Sequence, residues 1–375
     1  MNEAMSHRVE HNRAAEEDAG GTLTAPAGLE GYDAARERAA VYPRGPRAVL
    51  AVGGRDAVSF LHGILTNDIA SLAAGQACYA AYLTPQGRMV SDMDVLRRQN
   101  DLLLDVEPQV GPRLAERFDS SIFTEDVSIT DRSPELASIG VYGPEAASLL
   151  SGVLDDAGVP AGVPGLDEHV TRSWTAGEGT PAAAGELTIL GTNRGGVNGF
   201  HLFADVAAAR PLVEALVARG AERLGDLAAE SLRIEASVPK FGTDMTDDTI
   251  PLEAGIEARA ISTTKGCYVG QEVIVRILHR GHGRVVRRLA GLQVDGDVIP
   301  LAGTRLLSGE KEVGHVTSAV RSPRLGVIAL GYVHRDYVEP GTRLQLANPL
   351  ANAGEPLRAA EAEAEVVVVV RGAAL

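Results

Sequence analysis

The chain is short of sulfur and of rings: its 375 residues hold two cysteines, one tryptophan, eight tyrosines and six phenylalanines. Cys78 and Cys267 lie far apart and show no C-x-x-C spacing, which excludes a disulfide framework and a self-contained zinc ribbon and fits a reducing compartment. No apolar run approaches the roughly eighteen residues that would cross a bilayer, so a membrane protein is not expected. The first residues, MNEAMSHRVEHNRAAEEDAGG, lack the apolar core of a secretory signal, and the expected location is the cytoplasm. Positive charge is the scarce sign, with 35 Lys and Arg against 50 Asp and Glu and a net charge of −15. A phosphate backbone would be repelled, so direct nucleic-acid binding is not expected. The basic stretch RILHRGHGRVVRR, Arg276 to Arg288, reads as a solvated face with interface arginines.

What is present is the composition of a soluble globular chain, 45% hydrophobic and 23% charged, with length for about two to three domains. Residues 1–40 read as a flexible tail. RAVLAV has the short apolar run of a buried strand, and ACYAAYLTPQGRMVSDMDVLRRQNDLLLDV reads as a β-meander with turns at PQG and QND. PQVGPRLAERFDSSIF and AASLLSGVLDDAG read as helices with ASIGVYGP as a strand between them, an α+β order rather than a βαβ repeat. Residues 159–184, rich in Gly, Pro, Ala and Glu, read as a surface excursion, with Trp174 as a packing residue. ELTILGTNRGGVNGFHLFADV returns to strands around a glycine-rich turn, and a strongly helical stretch follows. Beyond residue 285 the short runs RLAGLQV, TRLLSG, EVGHVTSAV, GVIALGYV and EVVVVV predict a small all-β barrel over 286–375.

Cys267 sits in KGCYVGQE, Lys265 to Glu272. Apolar residues at positions 273, 274, 277 and 278 follow helical spacing, which predicts the thiol just before a helix N-terminus. The positive end of a helix, with Lys265 and Arg276 nearby, lowers a thiol pKa and favours thiolate. Gly266 and Gly270 permit backbone conformations that a side chain would block. Two readings stay open: a reactive thiolate or sulfur ligand, and a small buried hydrophobe, as free cysteines often are. A metal site from Cys267, His279 and His282 lacks a clear fourth ligand, and no metal is expected. Cys78, in ACYAAY, is expected in a strand core.

Four ordered segments carry a resemblance. KGCYVGQEV resembles the signature of the YgfZ family of folate-binding proteins, relatives of the glycine cleavage T-protein, an aminomethyltransferase. ESLRIEASVPKFGTDMTDDTIPLEAGIE is similar to the family segment in which an L-R-x-E helix end leads to a P-x-E-A-G turn, through Arg233, Glu235, Gly242, Asp244, Pro251, Glu253, Ala254 and Gly255. EVGHVTSAVRSPRLGVIALGYV resembles the C-terminal barrel pattern, and LTPQGRMVSDMDVL the N-terminal strand pair with its Q-G-R turn.

The resemblance implies an α+β fold, a three-domain cloverleaf of the aminomethyltransferase type with a C-terminal β-barrel, in which 41–285 form two intertwined α+β domains. It implies tetrahydrofolate or a derivative as cofactor, with Arg233, Glu235, Glu253, Gly266, Tyr268, Gly270, Gln271 and Glu272 as candidate contacts. Asp92 falls near the acidic pair that the transferase uses beside the reactive folate nitrogen, with Ser91 replacing one member. Its other reading is an exposed strand residue. Three positions depart from the transferase: Val197 and His201 stand where it carries acids, and Ala229 where it carries an arginine. With the gained cysteine loop, these imply support of iron–sulfur cluster assembly or repair in client enzymes, and an indirect effect on tRNA modification. Cys267, Lys265 and Asp92 would be the reactive groups, with Lys265 and the helix end activating the thiol and Gln271 and Glu272 orienting the loop. The partners implied are iron–sulfur client enzymes or assembly proteins. Two rival expectations are a folate-dependent aminomethyl transferase and a noncatalytic interaction protein.

Overall fold

The computed structural model describes residues 28–159, 162–175, 184–280, 283–347 and 367–373. A helix α1 (Tyr32–Glu37) and strand β1 (Ala40–Pro43) lead into β2 (Ala48–Gly53), α2 (Ala57–Ile64), β3 (Ala77–Leu83), β4 (Met89–Arg97), β5 (Asp101–Val106), α3 (Gly111–Asp119) and β6 (Ser128–Asp131). Then come β7 (Leu136–Tyr142), α4 (Ala146–Asp156), β8 (His169–Thr175), β9 (Ala184–Thr192), β10 (Gly199–Asp205), α5 (Val206–Ala218), β11 (Glu222–Arg223) and α6 (Asp226–Glu235). Short helices α7 (Pro251–Ala254) and α8 (Glu257–Ala260) precede α9 (Gln271–His279). Strands β12 (Arg287–Val294), β13 (Arg305–Ser308), β14 (Lys311–Ser322), β15 (Gly326–His334), β16 (Arg343–Ala347) and β17 (Val367–Ala373) complete the chain.

The first sheet has the order β3-β4-β5-β2-β6, and the second β11-β1-β7-β10-β9-β8. Because β1 joins the second sheet and β2 the first, the two sheets are interlinked through their first strands. The last six strands close a barrel, β12-β15-β14-β13-β16-β17. This is the α+β cloverleaf expected. No helix among the described residues is long and apolar enough to cross a membrane.

Strand alternation decides where the cavity forms. On β2 and β5, Leu50, Val52, Leu102 and Leu104 face the first core, which α2 and α3 cover. Val49, Ala51, Leu96 and Leu103 face the other way and meet Leu136, Leu190 and Phe203 of the second sheet. On β10, Phe200, Leu202 and Ala204 enter the second core beneath α4 and α5. The two sheets therefore lie face to face through a small apolar seam. Polar residues beyond that seam look into the same space.

Two expectations change. Residues 32–40 do not continue a tail, because Tyr32, Ala34 and Ala35 of α1 are buried against Leu224, Ala228 and Leu232. Within the expected surface excursion, β8 pairs with β9 along its whole length, His169 opposite Leu190 through Thr175 opposite Ala184. Its Pro and Gly neighbours hide a strand whose backbone bonds come from the next strand in the chain. The side chain of Trp174 lies outside the described residues.

Candidate active site

Asp92 and Asp94 stand two residues apart on β4, so both project from the face opposite Met93 and Val95. Asp94 pairs directly with Asp105 on β5. Like charges opposed across a sheet repel, and arginines from elsewhere neutralise them. Arg44 Nη1 and Arg47 Nε donate to the two oxygens of Asp105 at 2.9 and 2.7 Å. Arg194, on the glycine-rich turn between β9 and β10, donates from Nη1 to Asp94 at 2.6 Å and from Nη2 to Asp92 at 3.1 Å. Tyr79 donates to the same Asp92 oxygen at 2.7 Å. Asp92 is 5% exposed, so the reading of an exposed strand residue falls.

Burial raises the pKa of Asp92, although Arg194 and the Tyr79 hydroxyl oppose it. Burial would do the same to Asp105, but Arg44 and Arg47 outweigh it and hold that carboxyl well below the usual range. Two acids on one wall are thus driven apart: Asp105 is a fixed charge and Asp92 holds its proton more tightly. Across the gap, burial and Arg44 push His201 well below its ordinary value and keep it neutral. Its Nε2 lies 3.2 Å from the Tyr142 hydroxyl, and its Nδ1 has no hydrogen-bond partner.

Of these groups Arg44, Arg47, Asp92, Tyr142, Arg194 and His201 line a cavity of about 170 Å³ bounded by both sheets, α6 and residues 238–241, whereas Tyr79, Asp94 and Asp105 are bonded to its lining but are not part of it. Ala229 lies in its wall, and Val197 packs instead against the cluster around Leu232. A larger groove of about 710 Å³ runs along α5 past Pro46, Pro108 and Pro134. It is chiefly apolar, whereas the smaller cavity gathers perturbed acids, a neutral histidine and arginines, the mark of a chemical site.

The remaining expected contacts have other partners. Arg233 borders the cavity, but Nη1 donates to Asp244 at 2.6 Å and Nη2 to Ser318 at 3.2 Å. Asp244 also accepts from the Ser318 hydroxyl at 2.7 Å and from Thr317. The L-R-x-E and T-S motifs therefore meet in a buried joint between α6 and the barrel. Glu235 accepts from Tyr32 at 2.5 Å and Arg36 at 2.9 Å, and Glu253 from the Ile250 amide and Arg287, each at 3.3 Å. Neither lines the cavity.

Gly266, Tyr268, Gly270, Gln271 and Glu272 also lie outside the cavity wall. Gly270 has φ +83°, and a Cβ there would come within 2.6 Å of the Thr84 carbonyl. The cysteine loop is thereby seated on the Q-G-R turn. Gln271 Nε2 reaches back to the Gly266 carbonyl at 3.5 Å, and Tyr268 is buried. Lys265 Nζ donates to the carbonyls of Leu65 at 2.7 Å, Asn67 at 3.2 Å and His62. Burial lowers its pKa to about 8. Its visible hydrogen bonds are those of an anchor on the end of α2, not of a thiol activator. Cys267 is exposed, so it is not a buried hydrophobe, and helix α9 begins at Gln271 as expected. His282 lies outside the described residues. Cys78 is half-buried in β3, and burial pushes its thiol up to about 12.

Sequence reasoning singled out Asp92 but missed Tyr79, Asp94, Asp105 and Arg194. The available signal was alternation: acids in DMDVL and LLLDV fall on one strand face among apolar neighbours. Among the described residues, Asp94, Asp105 and His201 form the one group close enough to hold an ion, with ligand atoms within 4.8 Å. Three guanidinium groups already occupy the carboxylates, which leaves a cation no electrostatic advantage.

Residues 24–265 match the GCVT N-terminal domain, and residues 287–355 the glycine cleavage T-protein C-terminal barrel domain. The chain is 32% identical over 304 residues to an aminomethyltransferase from Rubrobacter xylanophilus, covering 80% of this chain and 78% of that one. It is 28% identical over 342 residues to an aminomethyltransferase from Streptomyces avermitilis, covering 90% and 87%. The crystal structure of the glycine cleavage system aminomethyltransferase T from Bartonella henselae shares the fold, with a TM-score of 0.74 at 23% identity over 92% of this chain and 88% of that one. Sequence and fold agree along both the sheet region and the barrel, and the chain belongs to the glycine cleavage T-protein, or aminomethyltransferase, family.

Proposed function

We propose that the cavity between the two sheets binds a reduced folate and that the chain is a folate-dependent one-carbon protein of the aminomethyltransferase type. The observation that carries this reading is Asp92, a buried acid with a raised pKa, aligned by Tyr79 in a cavity of the matched domain. Tyr142 lines the cavity with an aromatic ring, and His201 Nδ1 is a buried polar atom that still needs a partner. Both suit a flat ring bearing polar edges. The folate would supply the nitrogen that carries the one-carbon unit. Asp92 would hold or move a proton at that nitrogen, and Asp105 keeps its wall charged and rigid. Transfer of an aminomethyl group from a lipoyl protein to tetrahydrofolate tests the reading. Wild type is expected to be active and Asp92→Asn about a hundredfold slower or worse; no transfer by wild type contradicts it.

A second reading is favoured by the KGCYVGQE loop. Its thiol is exposed, and His201 replaces an acid expected in the transferase. This is the YgfZ-type reading, in which folate binding supports assembly or repair of iron–sulfur clusters in client enzymes. In cells lacking the protein, iron–sulfur enzyme activity restored by wild type but not by Cys267→Ala supports it. Equal restoration by both removes the thiol from function.

A further inference from the structure

The guanidinium of Arg194 lies with Cζ 3.9 Å from the centre of the Tyr79 ring, between carboxylates that it bonds at 2.6 and 3.1 Å. It is a flat, donor-rich cation stacked on an aromatic face. The turn beneath it is fixed. Gly196 has φ +88°, with space for a Cβ closed to 2.2 Å by the Leu232 carbonyl, and a Cβ on Gly195 would meet the Tyr142 ring at 2.6 Å. The Arg194 amide also donates to Thr192 Oγ1 at 3.1 Å. Backbone movement is therefore restricted, while the side chain, held by Asp92 and Asp94, remains 20% exposed at the cavity. The cavity that the side chain leaves open, about 170 Å³, falls below the about 300 Å³ at which small-molecule pockets begin.

We infer that Arg194 is a built-in plug: its guanidinium occupies the Tyr79 stacking slot and the donor-reading oxygens of Asp92 and Asp94, which a planar, donor-bearing heteroaromatic ring must take over to bind. The inference rests on the folate reading and adds its affinity-setting residue. Stacking and a paired set of N–H donors are what a guanidinium and an amino-pyrimidine edge have in common. One excludes the other from the same face. A plug seated nine-tenths of the time lowers apparent affinity about tenfold, since only the open fraction binds.

The test is calorimetric titration of tetrahydrofolate into the full chain as wild type, Arg194→Ala and Arg194→Lys, with circular dichroism confirming that each is folded. Arg194→Ala is expected to bind about tenfold tighter than wild type. Arg194→Lys, which keeps the charge but loses the plane, is expected to fall between. If removing Arg194 unpairs the acids enough to prevent folding, the lysine variant decides: tighter binding than wild type supports the plug. Wild-type binding with equal or weaker binding by the folded variants overturns the plug and leaves the folate reading standing. No binding by any of the three overturns both.

Discussion

Replacing Asp105 by asparagine removes the one charge that Arg44 and Arg47 share, and leaves the largely buried Arg44 guanidinium without its carboxylate while Arg47 keeps only Glu107. Breaking a buried pair in this way costs about 3–5 kcal/mol, measurable as a lower urea midpoint. The pH dependence has a definite sign. Asp105 has a folded pKa below its unfolded value, so its contribution is present above about pH 4 and disappears as pH falls toward the folded value. The difference between wild type and Asp105→Asn should therefore narrow on acidification below about pH 4. A difference that stays constant contradicts the ion-pair account. Of this wall the sequence yielded only Asp92, through the family resemblance, although alternation fixes which face each acid takes. Arg44, Arg47 and Arg194 carry no such signal: Arg194 lies 102 positions from Asp92 in the chain.

At the scale of elements, the loop before α9 is held by a side chain rather than by regular structure. Lys265 enters a ring of carbonyls at the end of α2, where the helix leaves unpaired acceptors and favours a cation. Lys265→Met keeps the stem and deletes the donors, at an expected cost of about 1–3 kcal/mol. Thermal denaturation and hydrogen exchange should show the loss concentrated in residues 62–67 and 262–272. Unchanged exchange there contradicts the anchoring role. The sequence placed α9 correctly, since its apolar spacing is local. It assigned Lys265 to the thiol because the two are neighbours in sequence; the fold gives the ammonium to α2 instead. Strand β8 went unread for a related reason: its identity lies in its pairing with β9, while its own surroundings have the composition of a loop.

For the whole molecule, the barrel and the β-meander were legible because strand length, alternation and glycine punctuation are written within each segment. The joint of Arg233, Asp244, Thr317 and Ser318 was visible only as separate motifs, which the fold brings together to fasten α6 to the barrel. That fastening fixes one wall of the cavity, with Glu230 and Arg233 on its rim. The central claim is that this cavity, and not the larger apolar groove, receives a reduced folate. The most direct measurement is the thermal midpoint of wild type and Asp92→Asn with increasing tetrahydrofolate, since a ligand that binds only the native state raises it with concentration. The account predicts a concentration-dependent rise for wild type that is reduced in Asp92→Asn. A flat wild-type midpoint, or an equal rise in both, would contradict it.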